Sequence, residues 1–339
     1  MLALRTPYLL FFGDEERQTY AKTGLGLAHW RPEDCVGQRR LTPDTADAGL
    51  PDLTIDEAAA AGARSVVLGL ALVGGSLPSH WLPDLVHALE LGMDVVAGFH
   101  TRLTSFPDLV TAAEKSGAQL IDIRVPPENI PVGTGLKRTG KRLLTVGTDC
   151  ALGKKYTALA LHREMASRGI DADFRATGQT GILIAGSGIP MDAVVSDFLV
   201  GAAEMLTPDA DPNHWDVIEG QGALFHPGYA PVSMGLLMGS QPDAFVLCTE
   251  AGRDTIRGWD DFPTPDIRDV IDRNIAIAQQ YNPHVRCVGI SSNTVFLSDD
   301  ERPGYLAGLE DTYGMPAVDP LKGDGVAPIV DHLQAQTWP

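Results

Sequence analysis

Residues 141–163 read KRLLTVGTDCALGKKYTALALHR, and this stretch holds the residues with the plainest chemical purpose. Gly147 and Gly153 bracket a loop whose backbone amides can point at an anion, and Lys154 adds a mobile positive charge. Gly147, Thr148, Asp149, Cys150, Gly153, Lys154 and Lys155 are therefore the candidate anion-binding residues. Five residues separate the two glycines where the usual phosphate loop has four, and Lys155 stands where Ser or Thr would hold magnesium. The expected ligand is a polyphosphate that is held without being hydrolysed, and no metal is expected to be required.

Further candidates lie where later apolar runs end. Glu219 follows the run from Asp216 and precedes Gly-Gln-Gly, as do carboxylates that orient magnesium or a nucleophile. His226 comes shortly after it, on a loop. Gly178, Gln179, Thr180 and Gly181 form a glycine-rich stretch that reads as a loop at a strand end. Asp192 lies in residues 191–198, read as the opening of a helix. A carboxylate there is either a first-turn charge or a base that takes a proton from an amine. Arg253 and Arg257 follow the apolar run 243–248, and arginine clamps carboxylates bidentately.

The elements that must position these residues are legible from alternation. Residues 8–12, 65–70, 94–98 and 119–123 read as strands, and 54–62, 81–91 and 106–116 as helices. Strands alternating with helices at this spacing predict a parallel sheet with right-handed crossovers. After the phosphate-type loop, strands are expected at 171–176, 216–219, 243–248 and 286–290, with a C-terminal helix. The chain is thus expected to be α/β, a Rossmann-like N-terminal domain (1–136) joined to a P-loop NTPase-like C-terminal domain (137–339), both with mainly parallel sheets.

Within the first half, residues 22–40 fit no regular element; with Lys22, His29, Trp30 and Arg31 they read as an exposed connection with one buried tryptophan, the alternative being a binding loop. The glycines of residues 70–76 lack the spacing of a dinucleotide fingerprint, which argues against NAD. His100 and Arg102 sit at a strand end, where α/β sheets bind ligands. Residues 126–140, rich in proline and glycine, read as the domain boundary. Their basic tail, Lys137, Arg138, Lys141 and Arg142, precedes the strand and so falls at the far end from the glycine loop. It reads as a solvated linker, the alternative being a contact to a neighbouring subunit.

Composition narrows the function. With 339 residues there is room for two domains and a sizeable core. A formal net charge of −18 argues against a nucleic-acid partner. No apolar run is long enough to span a bilayer, and the first residues lack the pattern of a secretory signal. Cys35, Cys150, Cys248 and Cys287 are scattered, as in a reducing compartment without disulfides or a zinc site. A cytoplasmic location and a homo-oligomer are expected.

The loop's longer spacing resembles the GTDxxxGKT of dethiobiotin synthetase, and residues 219–222 resemble the EGxG of that group. A broader likeness runs through residues 22–38 (KTGLGLAHWRPEDCVGQ), 147–155, 175–198 (RATGQTGILIAGSGIPMDAVVSDF), 218–229 (IEGQGALFHPGY) and 239–248. These runs resemble the DgcN-type N-acetyltransferase family of D-glutamate catabolism, a bacterial family long filed as a domain of unknown function. The resemblance implies transfer of an acetyl group from acetyl-CoA to the amine of an acidic D-amino acid, chiefly D-glutamate. That chemistry needs a base, oxyanion donors and a carboxylate clamp. Glu219 or Asp192, with His226 in reserve, is then the base. The amides of residues 178–181 are the oxyanion donors, and Arg253 is the clamp. Cys150 at a helix N-terminus suggests an acyl-enzyme, but no histidine neighbours it in sequence, so direct transfer is preferred. Two rival readings stand beside this one. An ATP- and magnesium-dependent ligase or kinase would need Thr157 to replace the missing hydroxyl. The other rival is a non-catalytic nucleotide- or CoA-binding protein.

Overall fold

Tyr8-Leu-Leu-Phe-Phe12 is apolar without a break, the pattern of a strand covered on both faces. In the computed structural model, which describes residues 4–18, 20–70 and 77–338, it forms β1 (Tyr8–Gly13), buried along its whole length. The chain divides into two compact units, Met1–Val125 with Gln179–Pro190, and Pro126–Gly178 with Met191–Pro339. The expected change-over after residue 136 thus lies inside the second unit.

In the first unit, α1 (Lys22–Trp30), β2 (Cys35–Arg40), α2 (Ile55–Ala60), β3 (Ser65–Leu68), α3 (Leu82–Glu90), β4 (Asp94–Ala97), α4 (Pro107–Ser116) and β5 (Leu120–Asp122) follow β1. The five strands are parallel, in the order β2-β1-β3-β4-β5. Local signals fix several boundaries. A capping box between Thr54 and Glu57 opens α2, and left-handed Gly117 closes α4. The glycines of residues 70–76, Gly74 and Gly75, lie outside the described residues.

The expectation of an irregular connection over residues 22–40 is corrected, because this stretch forms α1 and β2. Gly24 and Gly37 are packing residues. A Cβ on Gly24 would lie 2.5 Å from the Phe12 ring, and the Gly24 amide donates to Gly69 O at 2.9 Å. The helix therefore approaches the sheet too closely for any side chain at that point. β2 looks polar because it is an edge strand, which among the described residues pairs with β1 and, at one bridge, with Asp52.

The second unit contains β6 (Lys141–Gly147), α5 (Lys154–Ser167) and β7 (Ala172–Arg175). α6 (Gln179–Ala185) follows, a segment of the first unit that packs on α1. The second unit resumes with α7 (Leu199–Leu206), β8 (Trp215–Ile218), α8 (Ala230–Ser240), β9 (Ala244–Glu250), β10 (Thr255–Ile256), β11 (Trp259–Pro263) and α9 (Ile267–Ala278). It ends with β12 (Arg286–Asn293), α10 (Glu301–Tyr313), β13 (Ala317–Val318) and α11 (Ala327–Gln334). Six strands form a parallel sheet in the order β13-β12-β9-β6-β8-β7, and β10 and β11 form a separate hairpin. Leu161 and Met165 of α5 and Ile329 and Val330 of α11 share one core with Leu143, Val217, Val246 and Val288 of the strands.

Three expectations fail in this part of the chain. Residues 178–181 are not a loop beyond Gly178, since Gln179 begins α6. Residues 191–198 are two short 3-10 turns, Met191–Ala193 and Ser196–Phe198, rather than the start of a helix. The basic cluster is not a solvated linker. Arg142 is fully buried and donates to the carbonyls of Arg138, Thr139 and Pro208. Arg138 donates to Thr207 O at 2.6 Å and to Gly239 O at 2.7 Å, and Lys137 pairs with Asp243 at 3.0 Å. These cations satisfy carbonyls that would otherwise be orphaned at the start of the sheet, the end remote from the glycine loop.

Candidate active site

β6 lies between β8 and β9, and its last residue, Gly147, pairs with Cys248. The chain then turns through residues 148–153 into α5, with Gly153 at φ +103°, a backbone conformation that glycine adopts without strain. The loop is tied at each step. Thr148 donates its amide to Cys248 O at 3.1 Å. Asp149 is fully buried. Its Oδ1 accepts the Cys150 amide at 2.5 Å, and its Oδ2 accepts Arg253 Nη1 at 2.7 Å and the Arg257 amide at 2.9 Å. Burial alone would push this carboxyl up, but those donors hold it below its ordinary value. Lys154 Nζ folds over the loop onto Asp149 O at 2.7 Å, and burial pulls its ammonium down.

Arg253 stands beside this loop but serves the protein itself. Besides Asp149 it donates to Cys150 O at 2.9 Å and, through Nε at 2.8 Å, to Glu250 Oε1. Its guanidinium is thus engaged on two protein carboxylates and a loop carbonyl. Arg257 differs: its amide is anchored on Asp149 while its side chain is exposed.

Glu219 follows β8 and is buried. Its Oε2 accepts the amides of Thr177 at 2.9 Å and Gly178 at 3.0 Å. Burial pushes its carboxyl up, against the opposing pull of the Lys155 ammonium and those two amides. Gly220 explains the motif that follows Glu219, because a Cβ there would meet Thr145 O at 1.7 Å. So the residue in the magnesium hydroxyl's place, Lys155, sets a positive charge to act on the carboxylate that would otherwise face the metal. Thr157 does not restore the hydroxyl, since its Oγ1 lies 2.8 Å from Ser291 Oγ, in the buried layer between α5 and β12.

His226 is buried against two rings. Its own ring centroid lies 4.6 Å from that of Tyr229 and 4.7 Å from that of Trp259. Its Nδ1 accepts the amides of Gly228 and Tyr229, and its Nε2 lies 3.7 Å from Asp149 Oδ1. Asp149, Cys150 and His226 bring their polar side-chain atoms within 4.8 Å of one another. Burial lowers the His226 pKa, with Asp149 opposing and Lys154 reinforcing the shift.

The fold therefore gathers Asp149, Cys150, Lys154, His226 and Arg253 at one loop, with Glu219 and Lys155 acting on each other. It does not gather residues 178–181 as free donors. The Gly178 amide is bound to Glu219, and Thr180 lies in the first unit with its hydroxyl 3.1 Å from that of Thr23. Asp192 is exposed, unlike Glu219. The sequence reading missed Glu250, Tyr229 and Trp259. The last two carry a signal in hindsight, since aromatic residues follow His226 in a segment rich in glycine and proline.

Two parallel-stranded sheets, the second with a phosphate-type loop, define a P-loop-containing α/β protein with a Rossmann-like partner domain. The models of the two DUF1611 domains of unknown function match this chain, the Rossmann-like N-terminal one over residues 33–126 and the P-loop one over residues 131–330. The chain belongs to the DUF1611 family. It is 48% identical over 332 residues to a D-glutamate N-acetyltransferase of Tritonibacter scottomollicae, an alignment that covers 98% of this chain and 99% of the relative. A D-glutamate N-acetyltransferase of Pseudoalteromonas sp is 49% identical, over 98% of this chain and 100% of the relative. The crystal structure of a DUF1611 family protein from Anabaena variabilis is 30% identical, with a TM-score of 0.87 over 98% of this chain and 100% of that one. No helix among the described residues is long and apolar enough to cross a membrane.

Proposed function

We propose that this protein transfers the acetyl group of acetyl-CoA to the amine of D-glutamate. The observation that carries this is identity of 48% and 49%, over nearly the full length of both partners, to two proteins with that named activity. The loop supports it: Lys155 in place of the hydroxyl suits a pyrophosphate that is bound and left intact, as in coenzyme A.

Glu219 is the base. A glutamate amine is protonated at neutral pH and must lose that proton before it attacks the thioester carbonyl. A buried carboxylate with a raised pKa, still pulled toward ionisation by Lys155, is suited to accept it. The amine nitrogen then bonds to the carbonyl carbon, the carbon–sulfur bond breaks, and the coenzyme thiolate leaves to be reprotonated. Asp192 is the weaker candidate because it is exposed. Arg257, rather than Arg253, has the exposed guanidinium to clamp a substrate carboxylate. The reaction needs no metal.

A thiol-release assay with acetyl-CoA over a panel of D- and L-amino acids tests this function. Release that depends on D-glutamate is expected. Release independent of any amino acid, or preference for basic or neutral side chains, overturns it.

A further inference from the structure

Asp149, Cys150 and His226 admit three chemical readings: a metal site, a cysteine nucleophile with its histidine base, or a donor awaiting an acceptor. The bonding of the imidazole separates them. Gly228 N lies 3.0 Å and Tyr229 N 3.2 Å from His226 Nδ1, and both are donors. Nδ1 must therefore present its lone pair, and in a neutral ring the proton then sits on Nε2. The two amides also leave no place for a second proton on Nδ1, which agrees with burial disfavouring the charged ring.

Two readings fail on this tautomer. A metal at Nε2 would need the lone pair there and the proton on Nδ1, against two amide hydrogens. A base for Cys150 would likewise need a lone pair on Nε2. The structure does bring a histidine to Cys150, as the sequence alone could not show, but in the form that cannot take the thiol's proton.

What remains is a buried N–H without an acceptor. His226 is 2% exposed, and Nε2 has no hydrogen-bond partner among the described residues. Asp149 Oδ1, at 3.7 Å, is beyond bonding range, and that carboxylate already accepts from Cys150, Arg253 and Arg257. Tyr229 and Trp259 fix the plane of the ring. A buried donor left empty beside an anion loop costs free energy until an acceptor arrives.

We propose that His226 is a fixed hydrogen-bond donor whose Nε2–H receives an oxygen of bound acetyl-CoA, either the thioester carbonyl or a phosphate. This rests on the acetyl-transfer reading above. Asp149 and Lys154 are the charged groups that act on this nitrogen. The first holds the ring's dipole in place and the second shares the incoming oxygen.

Two variants test it. His226→Asn keeps an acceptor for the Gly228 and Tyr229 amides and loses the remote donor. His226→Gln can return an N–H to the position of Nε2. Each is assayed for kcat and KM against pH, and for affinity to coenzyme A and to inorganic pyrophosphate by calorimetry. The expected result is a loss in His226→Asn that His226→Gln partly restores. A loss of about 10²–10³ in kcat with affinity kept identifies the carbonyl as the acceptor. A loss of roughly 10–150-fold in affinity, for pyrophosphate as well, identifies a phosphate. Equal behaviour of both variants, whether intact or equally impaired in folded protein, overturns the proposal. So does a wild-type pH limb in the histidine range that His226→Asn abolishes, or stoichiometric zinc binding that it abolishes. Should no amino acid be acetylated at all, the D-glutamate reading and the carbonyl acceptor fail together, while the two affinity arms still decide whether His226 donates to a phosphate.

Discussion

Arg253 Nη1 donates to Asp149 Oδ2 at 2.7 Å, with 9% and 0% of the two side chains exposed. A charge this deep is tolerated because it is paired, and removing one partner leaves the other stranded. Arg253→Ala should therefore lower stability by about 3–5 kcal/mol, the range for breaking a buried pair. Thermal unfolding beside acetyl-CoA titration checks this. A variant that unfolds like wild type and loses only affinity for D-glutamate would return Arg253 to the role of substrate clamp.

Glu219→Gln should cut turnover by ~10²–10⁴, the usual cost of losing a general base, with acetyl-CoA affinity nearly unchanged. The Gln side-chain oxygen can still accept the Thr177 and Gly178 amides. Because the base works deprotonated, wild-type kcat/KM should rise with pH through the upward-shifted pKa, and the variant should lack that limb. Folding stability responds to the same shift. A carboxyl raised on folding adds stability that is fully present below its unfolded pKa and is lost as pH rises through the folded one. Glu219→Gln should thus gain in melting temperature relative to wild type as pH increases. A variant that falls apart or loses acetyl-CoA makes Glu219 a purely structural holder of the 177–178 turn.

Thr157 bonds Ser291, and Lys155 stands where the usual loop has the hydroxyl that holds magnesium. Acetyl transfer should be unchanged by EDTA, and calorimetry should show coenzyme A binding that magnesium does not strengthen. Tight magnesium-dependent ATP binding without coenzyme A binding would instead favour a ligase or kinase. Lys154→Ala should weaken the bound anion by roughly 1.5–3 kcal/mol, as for a charge-assisted hydrogen bond.

Arg257→Ala should raise KM for D-glutamate and leave thermal stability near wild type, because its side chain is exposed and only its amide anchors the loop. Arg257→Lys should recover little, since it keeps the charge but loses the bidentate fork. Unchanged KM in both variants would sink its role.

The phosphate-type loop was legible because its requirements are local: two glycines, a lysine, an apolar strand before and a periodic helix after. The alternation of elements was legible for the same reason. What could not be read is set by partners distant in sequence. Residues 22–30 look like a loop until Gly24 meets Gly69. Gly178 to Gly181 look like a loop until Gln179 starts a helix whose Thr180 meets Thr23. Arg138 and Arg142 look solvated because nothing near them in sequence announces the carbonyls of Thr207, Pro208 and Gly239. Arg253 is legible only as a cation that follows the apolar run 243–248, because its engagement with Asp149 depends on geometry alone. The tautomer of His226 likewise needs the positions of two amides.

Residues 179–190 belong to the first unit although the chain on either side belongs to the second. No single cut in the gene therefore yields two self-sufficient halves. A piece ending at residue 125 lacks Ile182, Leu183 and Ile184, which are buried in the whole chain. A piece beginning at 126 carries them without α1, the helix they pack beside. Recombination that exchanged the P-loop half between relatives would import a foreign helix into the Rossmann-like half. The two domains are thus inherited as one object, and a substitution on α1 has to be compatible with a segment encoded far downstream.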